Sequence, residues 1–207
     1  MKHFLKREEV IIPEGVEVTA KRRIVTIKGP RGLVEKNFRH AAVDIRIETI
    51  KGIKKLVIEM WFGTSRNAPL VTTIATRIKN AITGVTKGHL FIMKAAYVHF
   101  PIKVIVTNEG KTLGLKNFLG GREVYEIKLL PGCTALMPSN RESQWPSNRE
   151  PEWRSFESTL EISGIDLENV SMTCAIINQA LKEANRKDDR KFLDGCYVQK
   201  RTTIDRT

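Results

Sequence analysis

The residues best equipped for chemistry crowd near the end of the chain, in Arg186-Lys187-Asp188-Asp189-Arg190-Lys191-Phe192-Leu193-Asp194-Gly195-Cys196-Tyr197. Two basic pairs, Arg186-Lys187 and Arg190-Lys191, stand four residues apart. So spaced they can neutralise phosphates, while Phe192 and Tyr197 offer rings for packing on sugars or bases and Gly195 lets a main chain approach closely. Asp188 and Asp189 oppose that field unless they pair internally. A solvated helix end has much the same composition, so the bland reading stays open beside the functional one. Lys87, within Gly84-Val85-Thr86-Lys87-Gly88, is a sparser candidate for the same chemistry.

Catalytic chemistry finds no comparable cluster. His3, His40, His89 and His99 show no metal-ligand spacing with one another or with cysteine, and neither a Walker-type lysine loop nor a nucleophile elbow occurs. His99, beside Phe100-Pro101 at a strand entry, has a structural reading. Cys133, Cys174 and Cys196 are odd in number and far apart, which fits reduced thiols in a cytosolic compartment better than a disulfide framework. Cys174 falls on an apolar helical stripe and reads as core. The sequon Asn169-Val170-Ser171 carries no meaning without an export signal. The start, MKHFLKREEV, breaks any signal-like apolar core with Lys6, Arg7, Glu8 and Glu9, and no apolar run is long enough to span a bilayer. A soluble, unprocessed binding protein is expected, with no catalytic residue, metal, cofactor, membrane or small-molecule substrate.

Charge names the kind of partner. The 207 residues carry a net +12, with a pI near 9.8, which calls for a polyanion. Residues 1–98 hold 19 Lys and Arg against 8 Asp and Glu, whereas residues 99–207 hold 16 against 15. Contact with a polyanion in the second half therefore depends on a local basic patch, because charges beyond a Debye length of about 8 Å are screened.

The elements that must position these groups come in two similar sets. Pro13 to Gly32, PEGVEVTAKRRIVTIKGPRG, matches Pro101 to Gly120, PIKVIVTNEGKTLGLKNFLG, at a constant offset of 88. Both read as proline, alternating strand, polar turn, second strand and glycine, which is the pattern of a duplicated supersecondary unit. In the first set, strands are expected at Val10–Ile12, Val16–Val18, from Ile24, Val25 and Ile27 up to Gly29, at Leu33–Phe38, Val43–Ile47 and Leu56–Trp61. Gly29-Pro30-Arg31-Gly32 reads as a tight turn; its likeness to the GXXG clamp of KH modules is shallow, since strands flank it. Val71, Ile74, Ala75, Ile78 and Ile82 predict a helix, capped by Asn67, with Pro69 early and Gly84 after the last turn. Pro69 suggests a late start or a bend. Gly84–Gly88 then reads as a hinge. In the second set, extended segments are expected at Leu90–Phe100, Lys103–Val106, Thr112–Asn117, Val124–Leu130 and Leu160–Ser163, with a turn at Pro131-Gly132. A helix at Leu167–Ala184 has the stripe Val170, Cys174, Ile177 and Leu181, broadened by Ile176 and Ala180. The expected class is α+β: two tandem similar lobes, 1–84 and 85–207, each a small mostly antiparallel sheet packed against a helix.

Residues 137–157 break the plan. PSNRE occurs at Pro138–Glu142 and again at Pro146–Glu150, near Trp145 and Trp153, with no regular period. An irregular surface insertion from a short local duplication is expected, although its tryptophans and arginines could also contact nucleic acid.

Several motifs in order carry a resemblance: IPEGVEVT at Ile12–Thr19, VTIKGPRG at Val25–Gly32, MWFG at Met60–Gly63, GVTKG at Gly84–Gly88, YVHFPI at Tyr97–Ile102, NFLG at Asn117–Gly120 and DDRKFLDGCYV at Asp188–Val198. Over nearly its whole length the chain resembles the two-lobed protein family of the large ribosomal subunit counted sixth in bacteria and ninth in eukaryotes, in its eukaryotic cytosolic form. The stretch 137–157 departs from that family's shorter connection. The resemblance implies rRNA binding through surface and tail, with neighbouring ribosomal proteins as partners. It also implies a second lobe near the sarcin-ricin loop where translational GTPases dock, and a cytoplasmic location with nucleolar passage during assembly. On this reading Arg186, Lys187, Arg190, Lys191 and Lys87 supply charge to rRNA, Phe192 and Tyr197 packing, and Gly195 close approach. A free RNA-binding or RNA-chaperone module, with the same salt dependence but no sedimentation with ribosomes, is the alternative.

Overall fold

A computed structural model describes residues 2–50, 52–137, 159–185 and 193–205, and contacts divide the chain into two compact units, Met1–Gly88 and His89–Thr207. The class is α+β, as expected, with two helices among the described residues and small antiparallel sheets.

In the first unit, β1 (Lys2–Ile11), β5 (Asp44–Ile50) and β6 (Ile53–Thr64) form one antiparallel sheet with β6 in the middle. A second sheet joins β2 (Glu17–Lys21), β3 (Ile24–Gly29) and β4 (Gly32–Asn37), with β3 in the middle. β1 is far longer than its expected remnant at Val10–Ile12. Its KHFLKREEV stretch lacks the apolar alternation that signals a strand, because Arg7 and Glu9 meet charges on neighbouring strands. Glu59 of β6 is only 3% exposed, with Arg7 Nη1 at 3.4 Å and Arg46 Nη2 at 2.9 Å. Its Oε1 accepts from Arg46 Nη2 at 3.0 Å while Oε2 lacks a well-directed hydrogen bond, so the two guanidinium groups balance the buried charge by one hydrogen bond and by proximity.

Helix α1 (Pro69–Thr86) covers the core with the expected stripe of Val71, Ile74, Ala75, Ile78 and Ile82, extended by Ala81 and Val85. Each large apolar side chain buried there stabilises the unit by roughly 1.5–3 kcal/mol. Pro69 sits in the first turn, where its missing N–H is not needed. Asn67 does not cap the helix: Ala68 holds the N-cap position without a side-chain bond. The first N–H groups find backbone partners instead, Leu70 on Asn67 O at 3.0 Å and Val71 on Ala68 O at 3.4 Å. Nor does Gly84 end the helix or begin a hinge. α1 runs through residue 84 to Thr86, and Gly88, at φ 70°, supplies the left-handed stop by donating its N–H to Gly84 O at 3.1 Å. Gly29-Pro30-Arg31-Gly32 is the tight turn between β3 and β4. A Cβ on Gly29 would stand 2.8 Å from Val85 Cγ2, and Arg31 donates from its backbone N to Val85 O (3.1 Å) and from Nε to Thr86 O (3.2 Å). The turn thus caps the negative end of α1 with a cation.

In the second unit, β7 (His89–Ala96), β11 (Cys133–Leu136), β12 (Thr159–Gly164) and β13 (Gly195–Thr203) form a sheet in the order β11-β12-β7-β13. β8 (Lys103–Thr107), β9 (Thr112–Lys116) and β10 (Val124–Lys128) form another, with β9 in the middle. Helix α2 (Leu167–Asn185) buries the stripe Val170, Cys174, Ile177 and Leu181 in one core with Met93, Leu113, Leu115, Leu160 and Ile162. The extended segment expected up to Phe100 stops at Ala96. β11 and β13 were not expected: β11 is four residues long, and β13 follows a charged run that masks its alternation. Of the expected insertion, only Met137 lies among the described residues.

The two hairpins at the 88-residue offset are both present, yet their strand registers differ by two. Val18 pairs with Ile27, whereas Val106, its counterpart, pairs with Leu113 and leaves Leu115 to Val104. An even shift keeps each side chain on its own face, which is why the apolar pattern matches through it.

Candidate nucleic-acid interface

Gly195, Tyr197 and Lys87 are the sequence-predicted contact residues that fall within the described structure; Arg186, Lys187, Arg190, Lys191 and Phe192 lie outside it. Gly195 and Tyr197 begin β13 in the second unit, and Lys87 belongs to the first, so each is taken within its own unit.

β13 pairs with β7, and Tyr197 lies opposite Lys94. The Tyr197 hydroxyl donates to Leu193 O at 2.9 Å, while 41% of the residue stays exposed. Its ring is therefore held still with a face open to solvent. Gly195 is buried, and a Cβ there would meet the Tyr197 ring at 3.3 Å, so glycine makes room for that ring. Asn178 of α2 locks the strand further by donating Nδ2 to Cys196 O at 2.7 Å. The register adds a residue that the sequence reading missed: exposed Lys94 flanks Tyr197 directly. A lone lysine in the apolar run HLFIMKAA was the available signal. Further along β13, Arg201 stacks over the Phe91 ring at 5.6 Å and is partly committed inside the unit.

Lys87 is exposed at the C-cap of α1, where its N–H donates to Thr83 O at 2.8 Å and its charge complements the helix end. The first unit divides its cations sharply. Lys6, Arg7, Lys28, Arg46 and Lys55 stand within ion-pair distance of carboxylates. Lys55 and Arg7 hold the Glu9 carboxyl below its usual range. These cations are balanced by neighbours and contribute little to an external field. At the far end of the same sheet Phe4 meets Trp61 and Phe62 edge-on, at 5.7 and 5.1 Å between ring centroids. Phe62, at φ 52°, is 71% exposed.

The cysteines are interior. Burial pushes the Cys174 and Cys196 thiols up to about 12 and raises Cys133 as well, so none is a poised nucleophile. No group of three or more possible metal-ligating side chains occurs among the described residues, and no helix there is long and apolar enough to cross a membrane.

Comparison with known proteins gives this surface its context. Residues 12–88 match the family model for ribosomal protein L6. The large ribosomal subunit protein uL6 of Tetrahymena thermophila is 39% identical over 198 residues, covering 96% of this chain and 95% of its own length. The chain belongs to the uL6 family. Schizosaccharomyces pombe uL6A is 36% identical over 97% of this chain and 95% of its own length, and Ignicoccus hospitalis uL6 is 36% identical over 94% of each. The match to eukaryotic relatives agrees with the resemblance carried by the motifs, and it extends over both units. A uL6 protein is a structural, non-enzymatic constituent of the large ribosomal subunit, which accounts for the absence of catalytic machinery in the sequence.

Proposed function

We propose that this uL6 protein binds rRNA through the start of β13 and the basic stretch before it, close to the sarcin-ricin loop and the docking site of translational GTPases. Ribosomal RNA and neighbouring ribosomal proteins are its partners and the cytoplasmic ribosome its location, as its family implies, with passage through the nucleolus during assembly. The two units act as duplicated lobes of one plan.

The observation that carries the reading is Tyr197, fixed by its bond to Leu193 O, half exposed and flanked by Lys94. That ring follows closely on Arg186, Lys187, Arg190, Lys191 and Phe192 in the chain. In this arrangement the cations neutralise backbone phosphates, Phe192 and Tyr197 pack on sugars or bases, and Gly195 keeps the ring in position. Lys87 adds charge from the first unit.

The test is incorporation. Arg190→Glu/Lys191→Glu should leave the tagged protein at the top of a sucrose gradient, while the unaltered protein sediments with large subunits. A variant that sediments normally would overturn the assignment of this stretch.

A further inference from the structure

We propose that the turn between β2 and β3, together with the concave face beside it, forms a second RNA-backbone site in the first unit. This inference rests on the rRNA-binding reading above but uses different residues.

The turn is closed by the pair Lys21 and Ile24, which leaves Arg22 and Arg23 as its two central residues. Both lie in the left-handed region, at φ 51° and 63°. A two-residue hairpin turn of this kind favours Asn-Gly, because most side chains are strained there. Consecutive arginines are a poor choice for folding and a good one for placing charge at a tip. The tip is also anchored: the Arg23 carbonyl accepts from the N–H of Phe38, a buried residue, at 2.9 Å.

Beside the tip, Lys21, Arg22 and Arg39 line a concavity with Thr19, Thr26 and Glu35. Thr19, Thr26 and Glu35 sit side by side across the three strands. Among the described residues, no carboxylate comes within ion-pair distance of Lys21, Arg22, Arg23 or Arg39, unlike the balanced cations of the neighbouring sheet. Three cations against one carboxylate suit an anionic ligand, and the threonine hydroxyls and Glu35 suit the ribose hydroxyls between phosphates. The ligand class is therefore the sugar-phosphate backbone of RNA, with guanidinium forks on phosphate oxygens.

The full-length protein tests this with a fluorescein-labelled RNA duplex of about 30 base pairs, followed by anisotropy across a KCl series. Arg22→Asn/Arg23→Gly should weaken binding roughly 5- to 20-fold near physiological salt and flatten the log–log salt slope by about 1 to 2. The same variant should melt roughly 2–8 °C higher, since it relieves the turn. A matched removal of two charges elsewhere on the unit, Lys54→Gln/Lys79→Gln, should lose no more than about threefold. Equal losses in both variants would reduce the effect to general field and overturn the site. A lower melting temperature for the turn variant would show that the arginines serve the fold, and would overturn it too. Unaltered protein that fails to bind the duplex would sink the parent reading. Unaltered protein that binds, with a turn variant that binds equally, would sink this inference alone.

Discussion

The hairpins of the two units begin from matching sequence and end in different employment. In the first, a two-residue turn carries Arg22 and Arg23 into solvent. In the second, the turn takes four residues, Asn108 to Lys111, and turns one of them inward: Gly110 is buried, at φ 84°, with Ala135 O where a Cβ would come within 2.7 Å, while its three neighbours in the turn stay exposed. Leu129 N–H also reaches over to Lys111 O at 3.0 Å. The inward turn uses glycine where neighbours crowd, and the outward turn tolerates arginine because nothing does. The difference teaches that an ungapped match between repeats preserves the face each residue occupies, while strand register and turn length are free to change by two.

The harshest way to break the comparison is Gly110→Val. It combines a left-handed backbone with a backbone contact that cannot yield, and should cost the second unit about 3–5 kcal/mol in urea unfolding. Gly29→Ala tests the other close approach, against Val85; a loss of roughly 1–3 kcal/mol confined to the first unit is expected, read as amide exchange in α1. Arg22→Asn/Arg23→Gly should change sign, stabilising the first unit by about 1–2 kcal/mol. Gly15→Ala, with φ 83° but nothing within 4 Å, isolates backbone strain alone and should cost about 1 kcal/mol.

The thiols sharpen the contrast without any effect at neutral pH, because all three belong to the second unit. With Cys174 and Cys196 raised from 9.0 to about 12, the unfolded chain ionises first as pH rises. Their contribution to stability is thus complete below pH 9 and lost between pH 9 and 12, in a window that denaturation midpoints at several pH values would show. Labelling by an aromatic disulfide at pH 8 should track opening of the second unit and ignore the first.

Both helices were legible because their stripes recur at helical spacing and fill real cores, as Ile78 and Ile177 do at 0% exposure. Their ends were less so: Gly84 looks like a stop in sequence, but the chain uses Gly88. The last residues of the helix are held by the close approach of Val85 to Gly29 and by the Arg31 bonds to Val85 O and Thr86 O, which sequence does not show. β1 was hidden because its charged residues answer charges elsewhere in the sheet, and β13 because the irregularity after Val198 and the polar run of Gln199, Lys200 and Arg201 interrupt the alternation that periodicity detects. At the proposed interface, Gly195 and Tyr197 are candidates from composition, whereas Lys94 needed the strand register to place it beside them. The strain at Arg22 and Arg23 was invisible in sequence, since a backbone angle follows from which residues pair and not from which residues are present.

The position of β13 at the edge of its sheet, beside the first strand of the same unit, has a bearing on biogenesis. β7 emerges about one hundred residues before the partner that covers its flank. Meanwhile its amide and carbonyl groups on that side stand bare, an open template for association with other nascent chains. The amino-terminal unit has every strand it needs once Gly88 has been made. Synthesis therefore delivers a finished half tethered to a sticky one, and a message cut short before Gly195 should yield aggregates instead of a smaller working protein.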